Sequence, residues 1–150
     1  MTAKVFVDSN ILVYAHDADA GPKQKIAATQ VRALWEDQSG RISTQVLQEF
    51  YVTVTQKLGK PLAKGKAREI VRDYAQWVAT PTTPQTVIRA SEISEGWRLS
   101  IWDSLILAAA EEQDCSTVLT EDLNSGQTVA GIQIINPFLQ NQNMPGPIAQ

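Results

Sequence analysis

Short apolar runs alternate along the chain with longer segments in which apolar residues recur at helical spacing. Residues 4–7, 117–120 and 132–135 are apolar runs of strand length. They predict strands covered on both faces, because a strand with one solvated face alternates apolar and polar residues instead. The alternation of such strands with helical segments predicts an α/β fold with a largely parallel sheet.

Helices are predicted between these strands. The predicted bounds are residues 11–15, about 22–38, 63–78, a segment that Thr83 caps and Gly96 ends, and a segment from Asp103 to about Gln113 that Ser100 caps. Residues 44–58 carry a helical apolar stripe as well as a β-branched run, and we predict a helix because the stripe is longer. Further short strands are expected at residues 41–43 and before Pro81, and a loop or single turn at residues 123–131.

Four acidic residues stand where predicted elements begin or end. Asp8 and Asp122 each follow a strand, Asp103 opens an alanine-rich helix, and Glu49 lies beside the apolar stripe of residues 44–58. Ligands of open α/β sheets bind at the carboxyl ends of the strands, where both aspartates are expected. Each acid also has an ordinary structural interpretation: the aspartates as helix or turn caps, and the glutamate as a surface residue.

Clustered carboxylates repel one another, so a fold that gathers several usually holds a divalent cation there. Carboxylates, together with the flanking Ser9, Asn10 and Thr120, favour Mg²⁺ or Mn²⁺. The single histidine, His16, and the single cysteine, Cys115, cannot build a usual zinc site. If the four acids converge, the chain is a metal-dependent enzyme that acts on phosphate.

The composition fits one globular domain: 150 residues, 43% hydrophobic and 19% charged, with a net charge of -3. The polar, proline-containing residues 140–150 are predicted to be a disordered tail, which leaves 1–139 as the domain. No signal peptide or membrane span is recognised, and the lone cysteine fits a reducing cytosol.

His16 is expected to be a solvated surface residue. Most tryptophans are expected in the core, with Trp102 packed rather than stacked on a base.

Positive charge is concentrated around the Gly59–Pro61 break. This segment is interpreted either as an ordinary solvated surface or as an arm that contacts the phosphates of a nucleic acid. The lysines proposed for the second role are Lys57, Lys60, Lys64 and Lys66.

Five sequence blocks in order resemble the PIN-domain ribonucleases and, within them, the VapC-like toxins of type II toxin–antitoxin systems. The first three blocks are Val7-Asp8-Ser9-Asn10-Ile11-Leu12-Val13-Tyr14-Ala15, Ser43-Thr44-Gln45-Val46-Leu47-Gln48-Glu49-Phe50 and Trp102-Asp103-Ser104-Leu105-Ile106. The last two are Leu119-Thr120-Glu121-Asp122-Leu123 and Ile135-Asn136-Pro137-Phe138.

This resemblance implies a three-layer α/β/α fold with a mostly parallel sheet of about five strands. It also implies one or two Mg²⁺ or Mn²⁺ ions and hydrolysis of RNA by water to 5′-phosphate and 3′-hydroxyl ends. Asp8 and Asp103 would be the main ligands, with Asp122 second and Glu49 orienting water or a second ion. Asn10, Ser9 and Thr120 would orient the acids. A cognate antitoxin, a homodimer and a cytoplasmic location are implied as well.

Three other functions are compatible with parts of the pattern. A phosphoacceptor signalling domain also clusters aspartates around Mg²⁺, but no lysine follows any of the later strands here. A non-catalytic binding module would use the acids only as caps. An RNA-processing nuclease outside a toxin pair would share all the chemistry, and the residues do not distinguish it from a toxin.

Overall fold

The computed structural model describes residues 2–139. A five-stranded sheet has the strand order β2-β1-β3-β5-β4. Neighbouring strands are parallel, apart from β4, which pairs antiparallel with β5. The strands are β1 (Lys4–Val7), β2 (Gly40–Arg41), β3 (Cys115–Leu119), β4 (Thr128–Val129) and β5 (Ile132–Ile135). The predicted mostly parallel sheet is confirmed.

In the described residues, six α-helices cover the sheet and complete the predicted three-layer α/β/α arrangement. They are α1 (Ser9–His16), α2 (Pro22–Asp37), α3 (Thr44–Gln56), α4 (Lys64–Tyr74), α5 (Pro84–Trp97) and α6 (Ile101–Glu112). In residues 2–139, none of the helices has both the length and the apolar character that crossing a membrane requires. The predicted tail at residues 140–150 lies outside the described residues.

Helix α3 confirms the prediction for residues 44–58. Val46, Phe50 and Val54 are fully buried, one on each turn, so the stripe packs against the core. Ser43 caps the helix by accepting a hydrogen bond from the backbone N–H of Val46 at 3.4 Å. Burial of such large side chains stabilises the helix by more than the small strand preference of the β-branched residues costs.

In the described part of the chain, the segment between helix α4 and Pro81 contains no strand, so the prediction of a short strand directly before Pro81 was wrong. Residues 75–77 form a 3-10 turn, and the backbone N–H groups of Ala79 and Thr80 donate to Oε1 of Gln113, at 2.8 and 3.3 Å. A buried glutamine side chain thus satisfies the donors that a neighbouring strand would otherwise take.

Two further boundaries differ from the prediction. Helix α5 ends at Trp97 and not at Gly96, because Arg98 takes the left-handed conformation (φ 56°) and the backbone N–H of Leu99 donates to Ser94. Strand β4 interrupts the segment predicted as a loop, and its two residues are too few to give a periodic signal.

The tryptophans divide between core and surface. Trp77 is buried against Gly40, where an added Cβ would lie 2.8 Å from the indole ring. Trp35 packs on the rings of Tyr74 and Trp77 but keeps 39% of its surface exposed. Trp102 is 65% exposed, so the expectation that it packs was wrong.

The sheet has its topological switch point between β1 and β3, since β2 lies on the other side of β1. Both strands are parallel and end at the same edge. The backbone N–H of Asp8 donates to the carbonyl of Leu119 at 3.0 Å, so the strand pairing continues to the residue that follows β1. The segments that leave β1 and β3 therefore start side by side, where ligands of such sheets bind.

Candidate functional site

Asp8 is the buried centre of the acidic cluster, with 6% of its surface exposed. As the N-cap of α1 it accepts a hydrogen bond from the backbone N–H of Ser9, at 2.7 Å to Oδ1. Its other oxygen, Oδ2, accepts from the hydroxyl of Thr120 at 2.8 Å. Asp8 thus caps α1, as the first of the two interpretations of this residue predicts. Its side chain is also fixed by Thr120, which follows β3.

Asn10 joins the acids that follow β1 and β3. Its Nδ2 lies 3.0 Å from Oδ2 of Asp122, 3.4 Å from Oδ2 of Asp8 and 3.3 Å from Oγ1 of Thr120. Its Oδ1 accepts from the backbone N–H of Glu121 at 3.4 Å. The two carboxylate oxygens can be no farther apart than the sum of their distances to this one nitrogen, so Asp8 and Asp122 are neighbours.

Glu49 reaches the cluster from α3. Its Oε1 accepts from the hydroxyl of Ser9 at 3.1 Å, and its Oε2 lies 3.5 Å from Nε2 of Gln45, one helical turn earlier. The backbone N–H of Ser9 also donates to Asp8, so Ser9 holds Glu49 close to the buried aspartate. The glutamate itself is exposed to solvent.

Asp103 lies in the first turn of α6 and is half-buried. Its backbone N–H donates to Oγ of Ser100 at 3.1 Å, which confirms Ser100 as the predicted cap. Burial raises the pKa of Asp103, and the charge of Asp122 raises it further, while a hydrogen bond with Ser100 lowers it. Asp103 therefore adjoins the cluster on the side of Asp122.

Burial also raises the pKa of Asp8, from 3.8 to about 6. The hydrogen bonds from Thr120 and Ser9 stabilise the ionised form and oppose this rise, whereas the negative charges of Glu49 and Asp122 add to it. Two of the four acids follow strands β1 and β3 and two lie in helices α3 and α6, and their charges act on one another in adjoining pairs.

No lysine, arginine or histidine in residues 2–139 forms an ion pair with any of the four acids. Among the described residues, their negative charge is therefore not balanced by an ion pair, and a positively charged ligand can balance it. Carboxylate and amide oxygens are ligands of the type that hard cations prefer. As the side chains stand, no group of three or more histidine, cysteine, aspartate or glutamate side chains in this described part is arranged to hold a metal ion. Asn10 joins Asp8 to Asp122, and Ser9 joins Asp8 to Glu49.

Of the four lysines predicted to contact substrate, Lys57 adjoins the acids. It lines a cavity of about 430 Å³ together with Ser9 and Glu49. Lys60 pairs with Asp19 at 3.7 Å and Lys66 pairs with Glu69 at 3.9 Å, while Lys64 is exposed at the start of α4. These three do not line that cavity.

Two residues of the site were missed in the sequence. Gln45 contacts Glu49, and Nε2 of Gln45 also donates to the backbone carbonyl of Trp102 at 3.3 Å. Its spacing of four residues from Glu49 was the available signal. Glu121 accepts from Nζ of Lys23 at 2.9 Å and from the hydroxyl of Tyr14, which anchors the segment between Thr120 and Asp122 to α1 and α2. Charge alone did not distinguish it from a surface residue.

His16 is half-buried and bonds to the hydroxyl of Tyr74 at 2.8 Å, so the expectation of a solvated side chain was wrong. Burial lowers the pKa of His16, and the nearby Lys66 lowers it further. It packs against the rings of Phe50 and Tyr74. His16 thus belongs to an aromatic cluster behind α3, at the far end of α1 from the acids.

The fold and the acidic edge define a three-layer α/β/α protein with a carboxylate cluster at the switch point of its sheet. A family model described as PIN domain matches residues 5–128. The chain therefore belongs to the PIN domain family.

Solved structures with the same fold include a toxin–antitoxin complex from Klebsiella pneumoniae, with a TM-score of 0.65 and 15% identity over 90% of this chain and 98% of the other. A DNA-bound VapBC from Salmonella typhimurium has a TM-score of 0.61 and 17% identity, with 89% of this chain and 97% of the other covered. For VapBC2 from Rickettsia felis, bound to a promoter DNA fragment, the values are 0.57 and 15%, with 87% and 96% covered. No curated protein matches the chain.

Proposed function

We propose that this protein is a Mg²⁺- or Mn²⁺-dependent endoribonuclease and the toxin of a toxin–antitoxin pair. The observation that carries the proposal is the acidic cluster. Asp8 and Asp122, which follow β1 and β3, adjoin Glu49 of α3 and Asp103 of α6, and no ion pair among the described residues balances them. Membership of the PIN domain family supports a nuclease. The likeness to toxin–antitoxin complexes supports the toxin role.

Asp8, Asp103 and Asp122 would hold the cation, and Glu49 would orient the attacking water or a second ion. When bound, the cation supplies positive charge that activates water and neutralises the phosphate oxygens. Thr120 and the backbone of Ser9 fix both oxygens of Asp8 and thereby keep it ready to bind. Asn10 positions Asp122, and Gln45 positions Glu49.

Water is the nucleophile in this proposal, so the 2′-hydroxyl of RNA takes no part in the displacement. We expect products with 5′-phosphate and 3′-hydroxyl ends. The test is cleavage of a labelled single-stranded RNA with Mg²⁺, with Mn²⁺ and with EDTA, followed by analysis of the ends. Cleavage should require the metal, and 2′,3′-cyclic phosphate ends would contradict the proposal.

The variant Asp8→Asn should lose cleavage by at least about a hundredfold while the protein stays folded, because the amide cannot supply the charge that the cation needs. Asp37→Asn is the matched control, since Asp37 is exposed at the end of α2. It should cleave at the unsubstituted rate. Equal cleavage by Asp8→Asn would leave Asp8 a helix cap only.

An antitoxin partner and a homodimer are part of the proposal. An apolar groove with a volume of about 420 Å³ offers a surface that a partner can cover; its lining includes His16, Val31, Trp35, Ile70 and Tyr74. Growth arrest on expression, relieved by Asp8→Asn, would separate a toxin from a processing nuclease. Light scattering of the purified chain tests the homodimer, and the cytoplasmic location stays a prediction.

A further inference from the structure

One face of α3 connects the acids to two residues that the cleavage chemistry does not use, the exposed Trp102 and Lys57. Gln45, Glu49, Thr53 and Lys57 are spaced four residues apart, so they follow one another along one side of the helix. Near the start of α3, Gln45 holds the backbone carbonyl of Trp102. Near its end, Thr53 and Lys57 line the cavity that Ser9 and Glu49 share. This face, which we call the α3 track, thus runs from Trp102 past the acids to Lys57.

Trp102 is the most exposed of the large hydrophobic side chains described, at 65%. Among residues 2–139 it makes none of the aromatic ring contacts that Trp35 and Trp77 make. It immediately precedes Asp103, and Gln45 ties its backbone to Glu49. The backbone of Trp102 is thus held at a polar site while its indole ring is left open to solvent, and such a ring provides a surface for stacking a nucleobase.

Lys57 supplies a positive charge at the other end of the α3 track. It is exposed and has no ion pair among the described residues, in contrast to Lys60 and Lys66. It faces a cavity whose other charged residue is Glu49. A lysine in this position can bind a phosphate that lies beside the acids without losing an intramolecular partner.

We propose that the RNA lies along the α3 track, with a base stacked on Trp102 and a backbone phosphate bound by Lys57, on either side of the scissile bond. This proposal rests on the proposed nuclease function and adds the path of the substrate and two residues that bind it. Twelve residues of helix span about 18 Å, which accommodates more than one nucleotide. A base must be unstacked from its neighbours to lie on the indole, which excludes a duplex.

The experiment measures binding of a short labelled single-stranded RNA to chains that carry Asp8→Asn, so that affinity is read without cleavage. Adding Trp102→Ala should weaken binding by about tenfold or more, since a base stacked on an aromatic side chain contributes about 1–3 kcal/mol. Trp102→Phe should retain most of the affinity. Trp97→Ala is the matched control: Trp97 is also exposed, at the end of α5, and its loss should change nothing.

The same assay tests Lys57 by its salt dependence. Lys57→Glu should weaken binding and lower the slope of log affinity against log salt by about one. Lys25→Glu makes the same charge change at an exposed position of α2 and should leave the slope unaltered. A duplex of the same sequence should bind several-fold more weakly than the single strand, and equal binding would overturn the proposal.

The outcomes separate this proposal from the one on which it rests. One outcome is that the unsubstituted chain cleaves RNA while Trp102→Ala and Lys57→Glu bind RNA as tightly as the Asp8→Asn chain in which they are made. In that case RNA does not follow the α3 track, and the nuclease function stands. If Trp102→Ala changes the oligomeric state in size-exclusion chromatography without changing RNA affinity, Trp102 contacts a second copy and the stacking role is overturned. If the unsubstituted chain neither binds nor cleaves RNA, both proposals fail.

Discussion

At the scale of single residues, the acidic site opposes the stability of the fold. Asp8 is buried among other carboxylates, and its pKa of about 6 lies above the value of 3.8 for a free side chain. The folded chain therefore binds the proton of Asp8 more tightly than the unfolded chain does. Near neutral pH, the folded protein must carry this carboxylate ionised, which costs free energy unless a cation balances it.

This cost predicts how the stability of the metal-free protein depends on pH. The free energy of unfolding should fall as pH rises from about 4 to about 6, since the folded state holds the proton over that range. Most of the loss from Asp8 should have occurred by pH 6, and it should be complete by about pH 7, at about 2–3 kcal/mol. Asp8→Asn should remove this pH dependence and raise the free energy of unfolding at pH 7 by a similar amount. Urea unfolding in EDTA measures both effects.

Asp37→Asn again serves as the control and should keep the pH profile of the unsubstituted chain. If Asp8→Asn is no more stable than the unsubstituted chain at pH 7, burial does not raise the pKa of Asp8 as described. Added Mn²⁺ should stabilise the unsubstituted chain and leave Asp8→Asn nearly unchanged, because a ligand stabilises only the form that binds it.

At the scale of elements, a buried glutamine joins three segments that the sheet does not join. Nε2 of Gln113 donates to the carbonyls of Ile42 and Ala109, and Oε1 of Gln113 accepts from the backbone of Ala79 and Thr80. It thereby fixes the end of α6 to the segment after β2 and to the chain before Pro81.

Gln113→Leu should therefore lower the free energy of unfolding by about 2–4 kcal/mol, because it leaves buried backbone groups without partners. The measurement is urea denaturation followed by circular dichroism. The control is Gln76→Ala, at an exposed glutamine, which should change the stability by less than about 0.5 kcal/mol. A Gln113→Leu variant as stable as this control would show that the four hydrogen bonds contribute little.

The elements also show what the sequence could reveal and what it could not. The helix of residues 44–56 and the strands that precede Asp8 and Asp122 were predictable, since each depends on a local apolar pattern. The absence of a strand before Pro81 was not predictable. The backbone N–H groups of this segment donate to a side chain 33 or 34 residues away instead of to a neighbouring strand. The contact of Gln45 with Trp102 was hidden for the same reason, at a separation of 57 residues.

At the scale of the whole molecule, the last described residues are fixed to the first helices. The ring of Phe138 packs edge-on against Tyr14 at 5.1 Å, and Nζ of Lys23 lies over both rings. The same Lys23 and Tyr14 bind Glu121, which leads into Asp122. The end of the proposed domain thus supports the loop that carries one of the acids.

A chain that ends after Leu139 should keep the stability and cleavage rate of the full chain, because these contacts remain. A chain that ends after Ile135 loses the ring of Phe138 and the hydrogen bond of Asn136 with Ser125. We expect it to be less stable by about 1–3 kcal/mol, below the loss for a fully buried aromatic side chain because Phe138 is half-buried. Thermal unfolding of the two chains side by side gives the comparison, and equal loss in both would contradict a domain boundary at residue 139.

The pairing of β1 with β3 has a consequence for synthesis of the protein. Asp8 is synthesised 112 residues before its partner Thr120, and contacts of such long range form slowly. A ribosome that stops before β3 leaves a polypeptide with only part of the acidic edge. Under the proposed nuclease function, a chain that has not been translated beyond Asp122 should therefore be unable to cleave RNA.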